Sequence, residues 1–370
     1  MIVVLPGLFA HALVGVALAG DVRVDVIDVG QGDAILIRTP AQKTILVDAG
    51  DRDSNVLASL AGLGVDHLDL AIASHPHADH IGQMEAVIRA FPPKVYVDSG
   101  LAHTTQTYEG LMRAVEENPA ITYRQGIRDT VFNLDDGAKL EVLLPGTTRF
   151  SNTRSDLNSN SVVVRLTHGD DCFLLTGDAE EPTERALVSM DVGPCDVLKV
   201  AHHGSNHSSG SAFLAAVKPS MVAISVGAGN RYEHPGDETM DRLASTGATI
   251  YRTDRDGTIT FTSSGDGITV ATAKAENQPA TMVPVAGMPR PEAEGGAVES
   301  PTPAGTAPVV AGLDAGDAAT CPFPASRKSE VFHEAGCGNA AKISSGNLTC
   351  YASKEEAEKA NKRSAGCCHP

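Results

Sequence analysis

A chain of 370 residues is long for one average domain and fits two with a linker. Hydrophobic residues make up 42% of it, enough for an ordinary core, but aromatics only 4% with no Trp, which argues against stacking on aromatic platforms as its main binding mode. The formal net charge of −17 excludes capture of nucleic acid or anionic membrane through a broadly basic surface. It leaves a phosphodiester substrate open, because bound cations can dominate the field of a site.

Residues 1–19 read as a cleaved export signal. Leu8 to Leu18 is apolar apart from His11, and Ala17-Leu18-Ala19 supplies a small-x-small cleavage pattern before Gly20, although basic residues are missing at the start. The competing reading is a hydrophobic first strand or a weak anchor. The apolar stretch is shorter than the ~20 residues that span a bilayer, and no later segment is long enough. The expected mature chain is therefore secreted or periplasmic, with no stable membrane association. No protein partner can be inferred.

From residue 20 to about 270, short β-branched runs alternate with amphipathic stretches. Strands are expected over 22–27, 34–37, 44–47, 68–73, 94–97, 162–166, 173–175, 197–200, 221–225, 249–252 and 258–261. Helices are expected over 55–63, 83–90, 105–115, 181–190, 211–216 and 238–245. This is a layered α/β domain with mixed strands. Residues 271–320 hold seven prolines, six glycines and no aromatic, and read as a disordered linker. Residues 321–370 form a small third segment with five of the seven cysteines: Cys321, Cys337, Cys350, Cys367 and Cys368. The other two, Cys172 and Cys195, are expected to form a disulfide if the chain is exported and their Cα atoms lie within about 7 Å. The alternative is a pair of buried thiols.

Ser74-His75-Pro76-His77-Ala78-Asp79-His80 follows an apolar strand and places three imidazoles and a carboxylate on one loop. Nitrogen and oxygen donors without a thiolate suit zinc, and also manganese or iron. One loop cannot complete two metal shells, so partners are sought at later strand ends. Asp178 ends the apolar run 173–177, His202 and His203 end 197–201, and His234 precedes Pro235. A strand-end Asp is more often a cap and a lone His more often structural; the repetition of the pattern carries the metal reading.

His-x-His-x-Asp-His, preceded by Leu46-Val47-Asp48-Ala49-Gly50 and followed by Thr176-Gly177-Asp178, resembles the metallo-β-lactamase superfamily. Asp28-Val29-Gly30-Gln31-Gly32-Asp33-Ala34, Asn158-Ser159-Asn160-Ser161 and Ala201-His202-His203-Gly204-Ser205 resemble more narrowly the hydrolase domain of competence protein ComEC, over about residues 22–265. The resemblance implies an αββα sandwich with its site between the sheets. It implies two divalent ions, Zn²⁺ or alternatively Mn²⁺. His75 and His77 would serve one, Asp79 and His80 the other, with Asp178 bridging and Asp48 orienting the loop from behind. Many superfamily members carry a further histidine where Asn158–Ser161 stands here. His202 or His203 could replace it, with His234 completing the second site; which of the adjacent pair binds is left open. Asp79, Lys199, Ser205 and Asn160 form the expected catalytic set, the last three as substrate contacts. His168 and His207 read as surface or outer-shell residues.

ComEC-like domains are associated with nucleic-acid degradation, so the resemblance implies a phosphodiesterase or nuclease with a phosphodiester partner, nucleic acid among the candidates. The alternatives are a lactone, ester or β-lactam hydrolase of the same fold, and a non-catalytic binding protein. The tail segment resembles a small Ada-type metal-binding module. His333…Cys337 is intact, but Ala365 stands where a late cysteine would fall, so Cys367 and Cys368 would have to complete the set. The competing reading is a disulfide-stapled tail.

Overall fold

The computed structural model describes residues 20–135 and 137–274, together with 323–326, 331–332, 348–351, 353–359 and 362–364. The expected signal segment, nearly all of the linker and the proposed tail ligands His333, Cys337, Cys367 and Cys368 lie outside the described residues. The chain divides into two units, 1–289 and 290–370.

In the first unit, β1 (Val22–Val26), β2 (Ile35–Arg38), β3 (Thr44–Val47), β4 (Leu70–Ile72), β5 (Val95–Asp98) and β6 (Thr122–Gln125) open one sheet. The chain then builds a second sheet from β7 (Val131–Asn133), β8 (Ala138–Leu144), β9 (Val163–His168), β10 (Asp171–Leu175), β11 (Val197–Lys199), β12 (Met221–Ile224) and β13 (Thr249–Arg252). It returns to the first sheet with β14 (Ile259–Ser263) and β15 (Ile268–Thr272). The sheet orders are β15-β14-β1-β2-β3-β4-β5-β6 and β13-β12-β11-β10-β9-β8-β7. A domain end at residue 270 would therefore cut β15.

Alternation sorts the central strands between two cores. Phe173 and Leu175 of β10 face the layer between the sheets, while Cys172 and Leu174 face outward into a second apolar cluster. Likewise Leu70 and Ile72 of β4 face inward and Ala71 outward. With both faces covered, these strands read as continuous apolar runs. The helices α1 (Val56–Gly62), α3 (Met84–Ala90) and α4 (Gln106–Glu116) cover the first sheet, and α6 (Glu181–Ser189), α7 (Ser211–Val217) and α8 (Asp237–Ser245) the second. Short turns α2 (Ala78–Ile81), α5 (Asp156–Ser159) and α9 (Thr253–Asp256) lie between them. In α4, Leu111, Ala114 and Val115 bury one stripe, and the Thr105 side chain caps the first turn by accepting from Tyr108 N. The result is an αββα sandwich.

Sulfurs of Cys172 and Cys195 are bonded across 4.9 Å between Cα atoms. The second unit shows a four-stranded sheet, β16 (Phe323–Ser326), β17 (Val331–Phe332), β18 (Leu348–Tyr351) and β19 (Arg363–Ser364), with α10 (Lys354–Lys359). Ala325, Phe332 and Ala357 form its buried centre, and Cys350 is disulfide-bonded. Among the described residues, no helix is long and apolar enough to cross a membrane.

Candidate metal centre

The donors arrive from the ends of β4, β10 and β11. After β4 the chain turns through Ser74 to His80, with His77 as the residue before α2 and Asp79 and His80 inside its single turn. After β10, Gly177 takes φ +52°, and a Cβ there would stand 2.7 Å from Ser74 Cβ, so only glycine lets Asp178 approach the His75 loop. After β11, His202 and His203 both take left-handed φ, 51° and 53°. Such backbone costs on the order of 1–3 kcal/mol per residue and persists where the surroundings enforce it. Here His202 N donates to Gly177 O at 3.1 Å, tying the two loops together.

Asp178 stands at the middle, 2% exposed. Its Oδ2 lies 3.8 Å from His75 Nε2 and 3.6 Å from His202 Nε2, and its Oδ1 lies 3.1 Å from His80 Nε2 and 3.7 Å from His203 Nε2. His77 Nδ1 is 2.9 Å from His75 Nε2, and Asp79 Oδ2 is 3.2 Å from His203 Nε2. Asp178 Oδ2 thus faces His75 and His202, with His77 against His75, and its Oδ1 faces His80 and His203, with Asp79 against His203. Both members of the adjacent His pair converge on Asp178, through different oxygens.

Three of the inward nitrogens are set by a partner on the opposite side of the ring. Asp48, itself at φ +59°, accepts from Ser74 N and Ser74 Oγ, both at 2.7 Å, and from His80 Nδ1 at 2.8 Å. His203 Nδ1 donates to Ser225 O at 2.9 Å and has Asp33 Oδ1 at 3.3 Å. His202 Nδ1 lies 3.5 Å from Glu180 Oε1, which also accepts from Asn158 Nδ2 at 3.2 Å. Partners of this kind fix the tautomer that leaves Nε2 free to bind.

Several expected roles do not fit this arrangement. Lys199 is 1% exposed and its Nζ donates to Asp33 Oδ2 and Val200 O, at 2.8 and 2.9 Å, so it is held inside the fold and away from the cavity wall. Asn160 is fully buried and bridges Phe150 and Asp156, holding the loop before β9. Ser205 is buried too, its Oγ accepting from His207 N and its carbonyl from Thr239 Oγ1. None of the three lines the cavity over the donors. Nor does His234 complete the second set, because His203 stands there. The His234 ring sits at the rim, with its centroid 5.5 Å from that of His202 and 6.4 Å from that of His203. His168 is buried away from the centre, against Ser263 Oγ, and His207 lines a separate cavity with Arg154 and Arg185.

Asp33, Glu180 and Asn158 were not singled out from the sequence as site residues. Asp33 carries a signal, a carboxylate in a glycine turn directly before an apolar strand. Gly32 is needed because a Cβ there would meet Asp79 O at 2.3 Å, and Asp33 N donates to that same carbonyl at 3.1 Å. Glu180 carries none, because it lies outside any motif.

Asp33, Asp48 and Asp178 are buried and Asp79 is half-buried, and against burial the Asp178 carboxylate and its neighbours raise the His80 and His203 imidazoles above the usual value. Burial alone would raise the Asp178 carboxyl, but His80, His203 and His202 outweigh it and hold it well below the usual range. Burial, then the neighbouring His80, pushes His75 well below the usual imidazole value, as a neutral ligand requires. His80 Nε2 and Asp178 Oδ1 face each other 3.1 Å apart without aligning as a hydrogen bond, and neither has a hydrogen-bond partner. Buried, convergent and unpaired donors of this chemistry fit divalent cations. Above them lies a cavity of about 340 Å³ lined by Gln31, His77, Asp79, Asn158, Tyr232 and His234, among others.

An αββα sandwich with such a centre defines a metal-dependent hydrolase. The family model described as the metallo-β-lactamase superfamily matches residues 27–227, and the chain belongs to that superfamily. It is 30% identical to ComE operon protein 3 of Bacillus subtilis (strain 168) over 267 residues, 66% of this chain and 33% of that protein. It is 32% identical to competence protein ComA of Neisseria gonorrhoeae over 246 residues, 65% of this chain and 32% of that protein. Recombination protein 2 of Haemophilus influenzae is 31% identical over 228 residues, 60% of this chain and 26% of that protein. The chain spans about a third or less of the length of these relatives.

Proposed function

We propose that this chain is an extracytoplasmic phosphodiesterase that cleaves nucleic acid at a dinuclear centre. The observation that carries the reading is Asp178, whose two carboxylate oxygens each face a separate set of imidazole donors. His75, His77 and His202 would hold one cation and Asp79, His80 and His203 the other, with Zn²⁺ or Mn²⁺ suited to these donors. Divalent cations held there supply activation of water and neutralise charge on a phosphate. The chain's own residues do the remaining work. Asp48, Ser225 O and Glu180 hold His80, His203 and His202 in orientation, so the donors are positioned before substrate arrives. His234, its pKa pushed down to about 4 by burial and by His202 and His203, is neutral at neutral pH. A neutral imidazole on the cavity wall can donate one N–H to a substrate oxygen. Gln31 adds an amide donor on the same wall, its Nε2 without another partner.

Relatives whose names refer to competence and recombination support nucleic acid as the substrate. The Cys172–Cys195 bond supports an oxidising compartment. The test is a substrate panel on the chain after chelation and after reloading with Zn²⁺ or Mn²⁺. Metal-dependent release of nitrophenol from bis(p-nitrophenyl) phosphate is expected, with none from nitrocefin or lactones; the reverse order of preference would overturn the reading.

A further inference from the structure

The rim of the metal cavity carries one exposed ring. Tyr232 is 49% exposed, and among the described residues the other exposed large hydrophobics, Tyr123, Val131 and Val188, are not on that cavity's wall. The Tyr232 ring is stacked on that of His234, with centroids 5.7 Å apart and 26° between planes. The Arg231 guanidinium lies 4.8 Å from the Tyr232 centroid and donates to its hydroxyl at 2.6 Å.

The loop that presents the ring is fastened from inside. Asn230 Oδ1 accepts from Tyr232 N at 3.1 Å and from His234 N at 3.0 Å, and its Nδ2 donates to Gly227 O and His234 O. Gly236 N donates to Gly204 O at 2.9 Å, joining this loop to the one that carries His202 and His203. A rigid, half-exposed aromatic ring is thereby held at a fixed place beside the donors.

We propose that Tyr232 is a stacking platform for one nucleobase of the substrate, next to the phosphate held in the cavity, with Arg231 supplying positive charge at the same rim. Every base has a π-face, so a single ring of this kind binds without sequence preference and adds roughly 1–3 kcal/mol per base. It acts only on a base free of a duplex stack, which makes the substrate class a single-stranded nucleic acid or a nucleoside phosphodiester. A polymer of sugar or alditol phosphates has nothing to lay on the ring. The proposal rests on the phosphodiesterase reading and adds the nucleoside to it.

The test uses the full oxidised chain and two esters that share a leaving group, thymidine 5′-(p-nitrophenyl phosphate) and methyl p-nitrophenyl phosphate. Tyr232→Leu is expected to lower the kcat/KM ratio of the first to the second by about tenfold, through KM, while Tyr232→Phe stays within about twofold of wild type. An unchanged ratio in Tyr232→Leu overturns the proposal. An equal loss on both esters also overturns it, because the ring would then only be holding the loop. A second arm measures fluorescence anisotropy of labelled phosphorothioate hexamers, thymidylate against an abasic chain, on the metal-loaded protein. Preference for the thymidylate that vanishes in Tyr232→Leu supports the platform even if neither ester is hydrolysed, in which case only the phosphodiesterase reading falls. No preference in wild type overturns the platform even if both esters are hydrolysed.

Discussion

Lys199 Nζ lies 2.8 Å from Asp33 Oδ2, with both side chains 1% exposed, and the other oxygen of Asp33 lies 3.3 Å from His203 Nδ1. A lysine that the sequence suggested for substrate contact is instead the counter-ion of the carboxylate beside a donor histidine. Removing one member of a buried pair leaves an uncompensated charge, which costs about 3–5 kcal/mol.

Lys199→Met should therefore lower the unfolding free energy of the metal-free chain by about 3 kcal/mol, and adding Asp33→Asn should recover part of it. Denaturant unfolding of the two singles and the double measures the coupling. Strict additivity would mean that the pair does not act as a unit. Either single should also weaken binding at the Asp79–His80–His203 set by about 10–100-fold, measured by titration with Zn²⁺.

The Cys172–Cys195 bond closes a loop with a sequence separation of 23. Loop-closure entropy assigns such a bond about 3 kcal/mol. Cys172→Ala/Cys195→Ala should keep the circular dichroism of the wild type and unfold at lower denaturant by that amount. Equal midpoints would show that the bond contributes nothing. Thiol titration of protein isolated from the cell envelope should find both residues oxidised.

Glu184 lies under the loop that follows the two strand-end histidines, accepting from Gly210 N at 2.9 Å and from Ser209 N. Arg242 grips the same loop through Ser208 O and Ser209 O. Burial raises the Glu184 carboxyl from 4.5 to about 7, against those backbone bonds. Between pH 4.5 and 7 the folded chain thus holds a proton that the unfolded chain has lost, so stability from this group falls as pH rises through that window. Wild type should lose more unfolding free energy from pH 5 to 8 than Glu184→Gln does. Parallel pH profiles would contradict the raised value.

Much of the fold was legible because its signals are local. The strands 44–47 and 249–252 match the structure to the residue, since apolar β-branched runs flanked by turn residues admit few alternatives. β6 and β7 were missed because each ends its sheet: β6 is exposed at every residue, so selection for burial leaves no pattern. β8 alternates, but Lys139 and Glu141 hide the run. In the site, His75 to His80 were legible because they are contiguous, and Asp178, His202 and His203 because each follows an apolar strand. What the sequence does not encode locally is direction. Lys199 and Asn160 were read as contacts from their neighbours in the chain, and they turn inward to satisfy Asp33 and the 150–156 loop. Asp33 meets His203 only through the packing of the two sheets.

Turnover of bis(p-nitrophenyl) phosphate by reloaded Asp178→Ala, beside reloaded wild type, tests the central claim most directly. Asp178 faces both donor sets, so its loss strikes both at once. Wild type should turn over only with divalent metal. Asp178→Ala, with native circular dichroism, should fall by at least about 10²-fold, the loss that removing even a supporting partner of a ligand can cause. Wild-type turnover by Asp178→Ala, or turnover by the chelated wild-type chain, would contradict the account.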